Sequence, residues 1–200
     1  MNKLILASDN THKFREFSEI LSGTDTEVIM RSAAGCSFDI EENGTSFAEN
    51  AYIKAKSVTD FTGYAAVADD SGICVDHLNG GPGIFSARYG AGIAHNDQER
   101  MMYLLEQMKC AEVRTARYVC SICCTFPNGD VIRAEDTCEG SILFDPIGEG
   151  GFGYDPIFLP EGFERSMAQL TPDEKNAISH RGKALRTFIK EYKRYLDAHK

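Results

Sequence analysis

Two adjacent acids, Asp69 and Asp70, close a run of small apolar residues, Ala65-Ala66-Val67-Ala68, and Ser71-Gly72 follow at once. A buried strand that ends in acids and then turns is where α/β proteins tend to place chemistry. A second acid pair, Glu41-Glu42, precedes Asn43-Gly44. The chain carries no His-x-x-x-His pair, no nucleophile elbow and no Walker sequence, so zincin, α/β-hydrolase and P-loop chemistry are not indicated. Carboxylates without such partners suit a hard cation such as Mg²⁺, held through waters and substrate phosphates. One of them can also orient or deprotonate a water.

The cations stand in unusual places. Ser8-Asp9-Asn10-Thr11-His12-Lys13 follows the short apolar run Lys3–Ala7 and leads into Phe14, Phe17, Ile20 and Leu21 at helical spacing. Asn10 or Thr11 is the expected N-cap. Lys13 then lies in the first turn, where the helix dipole disfavours a cation. An anion docked at the same helix end would explain it. Ser179-His180-Arg181-Gly182-Lys183 repeats the pattern at the start of the last helix. Asn50 and Lys54 share one face of a third helix at i,i+4 spacing. With Lys13, Lys54 and Lys175 to hold phosphates, the chemistry implied is hydrolysis of a phosphoanhydride. The segment Gly148–Pro156 adds a glycine-rich loop whose Phe152 and Tyr154 can contact a base and whose Asp155 can pair with base N–H groups.

These residues need a scaffold, and the elements alternate. A strand at 3–7, a helix from about 11 and a strand at 27–30 come first. Ser46 with Glu49 opens the next helix, with Ala51, Ala55 and Val58 on its inner face. The strand from 65 follows, then a loop at Gly80-Gly81-Pro82-Gly83. Asn96 with Glu99 caps a helix whose stripe is Met101, Leu104, Leu105 and Met108, read as core. Residues 114–126 and 131–143 alternate as two strands about Pro127-Asn128-Gly129, a hairpin signal. Thr171-Pro172 with Glu174 opens the helical tail. The expectation is an α/β fold, a long mixed twisted sheet flanked by helices, with residues 1–200 as one domain of two lobes about a central cleft.

A net charge of −9 speaks against nucleic-acid polymers as partners, because that affinity comes from neutralising phosphates. Seven cysteines lack a disulfide or zinc spacing, and Cys120, Cys123 and Cys124 fall in an alternating apolar run, so buried free thiols are expected. No stretch resembles a leader or a membrane span, which points to the cytoplasm and no membrane partner.

Six motifs in order resemble the inosine triphosphate pyrophosphatase family. They are Ser8–Lys13; Glu42–Phe47 with Glu49-Asn50-Ala51 and Lys54-Ala55; Ala68–Gly72; Gly81-Pro82-Gly83 with Ser86-Ala87-Arg88; Gly151–Pro156; and Lys175 with Ile178–Arg181. The chain departs from the pattern at Ile147 and Gln169. The resemblance implies a homodimer that cleaves a small-molecule nucleoside triphosphate (dITP, ITP or XTP) to the monophosphate and pyrophosphate with Mg²⁺. It makes Asp70 the general base and a metal ligand, and Glu42 the second metal ligand. Ser8, Asp9, Asn10, Thr11, His12, Lys13, Lys54 and Ser71 would hold phosphates. Phe152, Gly153, Tyr154, Asp155, Lys175, His180 and Arg181 would hold base and sugar. Neighbouring strand residues face opposite sides, so Asp69 is expected to support Asp70 rather than share its role. Asp70-Ser71-Gly72 also matches the Asp-Ser-Gly signature of aspartic proteases, but that reading needs a second copy and an all-β chain.

Overall fold

The computed structural model describes residues 2–199. The strands are β1 (Asn2–Leu6), β2 (Thr26–Met30), β3 (Ala65–Val75), β4 (Thr115–Thr125), β5 (Val131–Ile142) and β6 (Phe158–Pro160). The helices are α1 (Thr11–Leu21), α2 (Phe47–Thr62), α3 (Asp97–Gln107), α4 (Pro172–Ile178) and α5 (His180–Ala198). The strands form one mixed sheet in the order β2-β1-β3-β4-β5-β6. β1 pairs in parallel with β2 and β3, with Leu4 opposite Ala65 and Leu6 opposite Val67. At the two ends of the β4–β5 hairpin, Phe126 N donates to Asp130 O and Ile142 N to Arg114 O, which fixes these strands as antiparallel. β6 is antiparallel to β5.

Local signals account for the helix starts. The Asn10 side chain accepts from the backbone of His12 and Lys13 and caps α1. Ser46 caps α2 through Glu49 N, while the Glu49 carboxylate reaches back one residue further than expected, to Thr45 N. Thr171 and Glu174 form the full reciprocal box at α4. Each such cap is worth about 1 kcal/mol.

The described residues fall into two compact units. One takes in residues up to Asp70, Cys120–Glu135 and Ala184 onward; the other comprises Ser71–Val119 and Asp136–Lys183. In the first, strict alternation sorts side chains onto two faces. Leu4, Leu6 and Val67 pack with Phe17 and Leu21 of α1 and Phe188 and Tyr192 of α5. Ile5, Ala7, Ala66 and Ala68 pack instead with Ala55 and Val58 of α2. The small residues on that second face let α2 approach β3 closely. In the other unit, Ile73 and Val75 pack with Leu104 and Met108 of α3, Tyr118, Cys138 and Phe158. The methionine stripe is core, as expected. Cys120, Cys123 and Cys124 are buried in β4, and all seven cysteines are free thiols.

One local expectation is corrected. β3 does not stop at the acids: it runs through Asp69–Gly72 to Val75. Gly72 is required for close approach rather than for a turn. A Cβ there would lie 2.4 Å from Ser86 Oγ, the hydroxyl that accepts from Ile73 N and donates to Gly83 O. The expected loop at 80–83 contains a cis Gly81-Pro82 bond and passes into a 3₁₀ helix at Gly83–Arg88.

Candidate active site

Asp69 and Asp70 continue the two-face alternation of β3. Asp69 has the parity of Val67, and its fully buried carboxylate meets Lys13 Nζ of α1 at 2.7 Å. Asp70 has the parity of Ala66 and Ala68 and meets α2. Lys54 Nζ lies 3.0 Å from Asp70 Oδ1, and Asn50 Nδ2 donates to Oδ2 at 3.3 Å. The same ammonium stands 2.9 Å from Glu42 Oε2. Burial pushes the Asp70 carboxyl above the ordinary carboxylate range, against the pull of Lys54, and the Glu42 charge adds to the rise. Burial would lower Lys54, but Asp70, Asp69 and Glu42 together outweigh it and hold the ammonium more firmly protonated than usual. A raised carboxyl is a stronger base once ionised, which suits a group that must take a proton from water.

Beside these residues lies a cavity of about 250 Å³, lined by Ser8, Asp9, Lys13, Arg31, Glu42, Lys54 and Asp69 among others. Three cations around one small space suit a phosphate-rich anion. Asp9 accepts from Ser32 N and from Arg31 Nε, both at 3.1 Å. Hydrogen bonding from the Ser32 side chain first, then from its backbone and from Arg31, holds the carboxyl below its ordinary value against the effect of burial. Asp9 is thus tied into the wall. Ser8 Oγ accepts from Asn10 N, and Thr11 and His12 are exposed at the start of α1.

The second unit holds the glycine-loop residues. Phe152 is 59% exposed, with Lys175 Nζ 4.5 Å and Arg181 Cζ 5.9 Å from its ring centre. Arg181 also donates to Ser71 Oγ at 3.2 Å. His180 is buried and stacks on Tyr118 at 4.7 Å with the rings nearly parallel. Tyr154 and Asp155 are buried and bonded within the protein. The Tyr154 hydroxyl donates to Ser86 O at 2.8 Å. Asp155 Oδ2 accepts from Phe152 N at 2.8 Å and pairs with Lys175 Nζ at 2.5 Å. Burial, with the Asp155 charge second, pushes the neighbouring Tyr118 hydroxyl well above its ordinary value. Gly153 N donates to Asp97 Oδ2 at 3.1 Å.

A model of the Ham1 family matches residues 4–191. The chain belongs to the Ham1 family. Among proteins of known name, a dITP/XTP pyrophosphatase of Streptomyces coelicolor is 46% identical over 193 residues, covering 94% of this chain and 96% of its own. One of Treponema denticola is 44% identical over 185 residues, covering 92% and 94%. A solved Ham1 protein structure from Coxiella burnetii superposes with a TM-score of 0.91 at 40% identity, over 97% of this chain and all of that one. The Ham1 protein of Staphylococcus aureus gives 0.88 at 36% identity, over all of both chains. The α/β fold with a six-stranded mixed sheet is the Ham1 fold, and an all-β protease is excluded.

Within this Ham1-family chain, the first unit brings together Ser8, Lys13, Glu42 and Lys54 around one cavity, with Asp70 paired to Lys54. The second gathers Phe152, Lys175 and Arg181. One residue of consequence escaped sequence reading, and another was seen without its target. Arg31 follows β2 with no motif around it. Asn50 was visible as the polar neighbour of Lys54, but its target was not. Of the two departures from the family pattern, Gln169 closes a local turn, its side chain accepting from Ser166 N at 2.9 Å.

The donor set fits a small hard cation. Two carboxylate oxygens, from Glu42 and Asp70, converge on one positive centre, the Lys54 ammonium. Oxygen ligands from one or two carboxylates, completed by water and phosphate, are what Mg²⁺ takes in such sites.

Proposed function

We propose that residues 1–200 form one pyrophosphatase domain that hydrolyses non-standard purine nucleoside triphosphates, dITP, ITP and XTP, to the monophosphate and pyrophosphate. The observation that carries this reading is the half-buried, raised carboxyl of Asp70, paired with Lys54, which with Glu42 lines a cation-rich cavity. Family membership and relatives named dITP/XTP pyrophosphatase support the substrate class.

In this reading Asp70 accepts a proton from water. The water oxygen forms a bond to the α-phosphorus, the α–β phosphoanhydride bond breaks, and pyrophosphate leaves with its electron pair. Lys13 and Lys54 hold the phosphate oxygens, with Ser8, Asn10, Thr11, His12 and Ser71 as hydrogen-bonding groups. Asp9 acts through Arg31 and Ser32 by fixing the loop. Glu42 and Asp70 would hold Mg²⁺, whose charge offsets that developing on the phosphates. Phe152 offers its exposed ring to the base. Lys175, Arg181 and His180 present donors, and Asp155, Tyr154 and Gly153 set the loop. A 6-oxo base is chosen by donors aimed at the oxo group, with no partner offered to a 6-amino group.

The enzyme is further proposed to be a homodimer, tested by sedimentation. It is placed in the cytoplasm, a reducing compartment consistent with seven free thiols. Among the described residues no helix is long and apolar enough to cross a membrane. The net charge of −9 favours small nucleotides over nucleic-acid polymers. The deciding measurement is pyrophosphate release from dITP, XTP, dATP and dGTP with and without Mg²⁺. Release from dITP or XTP well above that from dATP and dGTP is expected. No Mg²⁺-dependent release from any inosine or xanthosine nucleotide would end this reading.

A further inference from the structure

We propose that Asn50 is a positioning residue for the hydrolysis, its carboxamide tying Asp70 to the loop that carries Glu42. The proposal rests on reading Asp70 as the base.

Asn50 lies near the start of α2 and is only 1% exposed. A carboxamide so buried must find partners at both ends, because an unpaired buried amide costs about 1–3 kcal/mol. It finds two of opposite kind. Nδ2 donates to Asp70 Oδ2 at 3.3 Å, and Oδ1 accepts from Gly44 N at 2.9 Å. The chemistry fixes this orientation, since an ionised carboxylate only accepts and a backbone N–H only donates. One turn on, Lys54 takes the other oxygen of Asp70 and also reaches Glu42. Both oxygens of the base are therefore held from a single helix face. The carboxylate cannot rotate without losing one bond or the other.

Gly44 stands two residues after Glu42, so the bond from its N–H anchors the metal-ligand loop to the same carboxamide. The fit is tight from the loop side too. A Cβ at Gly44 would lie 2.7 Å from Asn50 Oδ1 and 2.8 Å from Glu49 Cβ. Only a short side chain that both donates and accepts can fill this place. Aspartate keeps the acceptor but sets a carboxylate against a carboxylate; alanine loses both ends.

The test uses Asn50→Asp, Asn50→Ala and Gly44→Ala in the full chain, with dITP and Mg²⁺. In Asn50→Asp, kcat is expected to fall roughly 100-fold, the cost of misplacing a reacting group by about 1 Å. KM for dITP should move less than about threefold, because no substrate contact has been removed. Gly44→Ala, which presses on the same carboxamide from the opposite side, should give the same split. It decides the matter if Asn50→Asp does not fold. Hydrogen exchange in the peptide spanning Glu42–Ser46 should quicken in Asn50→Ala and stay as in the parent in Asn50→Asp. The proposal is overturned if kcat holds within about threefold in the two kcat variants, or if KM rises as much as kcat falls. Unchanged exchange in Asn50→Ala overturns the loop-anchoring half. Asp70→Asn, measured alongside, separates the two readings. If it is inactive while the Asn50 and Gly44 variants are normal, only the role of Asn50 fails. If it stays active, the base assignment fails and this proposal with it.

Discussion

The two units use their charged residues in opposite ways. In the first, acids and ammonium groups pair directly beside a small cavity: Lys13 with Asp69, Lys54 with Glu42 and Asp70. Each pair is a contact that an incoming phosphate can compete for. In the second, the acid of the glycine loop is withdrawn. Asp155 is buried and spends Oδ2 on Phe152 N and Lys175, while the apolar Phe152 ring is left outside. In the function proposed above, phosphate handling and base handling thus place opposite demands on a carboxylate. The first keeps it near the proposed reacting centre, and the second uses it to build a platform.

The contrast breaks most sharply at Asp70. Asp70→Asn keeps the side-chain shape and should lower kcat for dITP at least ~100-fold with the fold intact, as loss of a general base requires. Near-normal turnover would make Asp70 a structural acid and leave the first unit without its chemistry.

Lys13→Ala comes next. It strips the nearest cation from a fully buried Asp69, so it should cost about 3 kcal/mol of stability and raise KM for dITP roughly tenfold. Binding of the triphosphate should suffer more than binding of the nucleoside. Equal losses on both would show that Lys13 does not touch phosphate.

In the second unit the two effects should come apart. Phe152→Ala removes an exposed ring and should leave Tm unchanged while weakening nucleotide binding by ~1–3 kcal/mol, the range for a base stacked on an aromatic. Asp155→Ala should do the reverse first, lowering stability by about 2 kcal/mol through the unpaired Lys175 and Phe152 N–H. Calorimetry of both variants, with and without nucleotide, reads the difference. An Asp155→Ala protein of normal stability would return that carboxylate to the ligand.

The smallest effect is at α4. Arg165 first, then the Thr171 backbone and hydroxyl, hold the exposed Glu174 carboxyl down to about 2. A depressed acid contributes stability above its unfolded value, near the ordinary 4.5, and that contribution fades as pH falls toward 2. Glu174→Gln should therefore show a weaker loss of helical signal between those pH values than the parent protein.

Much of this was legible in the residues. The alternation of Leu4–Ala7 and Ala65–Asp70, the caps at Asn10, Ser46 and Thr171, and the Pro127–Gly129 turn each act within a few positions, and each matched its element. The direction of Tyr154 and Asp155 was not legible. Nothing near them in sequence reveals Ser86 O or Lys175 Nζ, which draw them inward. Gly72 misled for a related reason. A glycine after acids reads as a turn, but its missing side chain makes room for Ser86, fourteen residues on. Asn50 stood on the right face of its helix, yet its two partners come from a loop and a strand that only the fold brings together.

The pairing of β3 with β1 sets Ala66 opposite Ile5 and Val67 opposite Leu6. That register also assigns the work of the two acids. A slip by one residue would exchange the faces of β3, turning Asp69 toward Lys54 and Asp70 toward Lys13. The methyl groups of Ala66 and Ala68, packed with α2, thus help to decide which acid of the doublet stands in the place of the proposed base. A bulky substitution at either alanine is a change to the reaction centre made from inside the core.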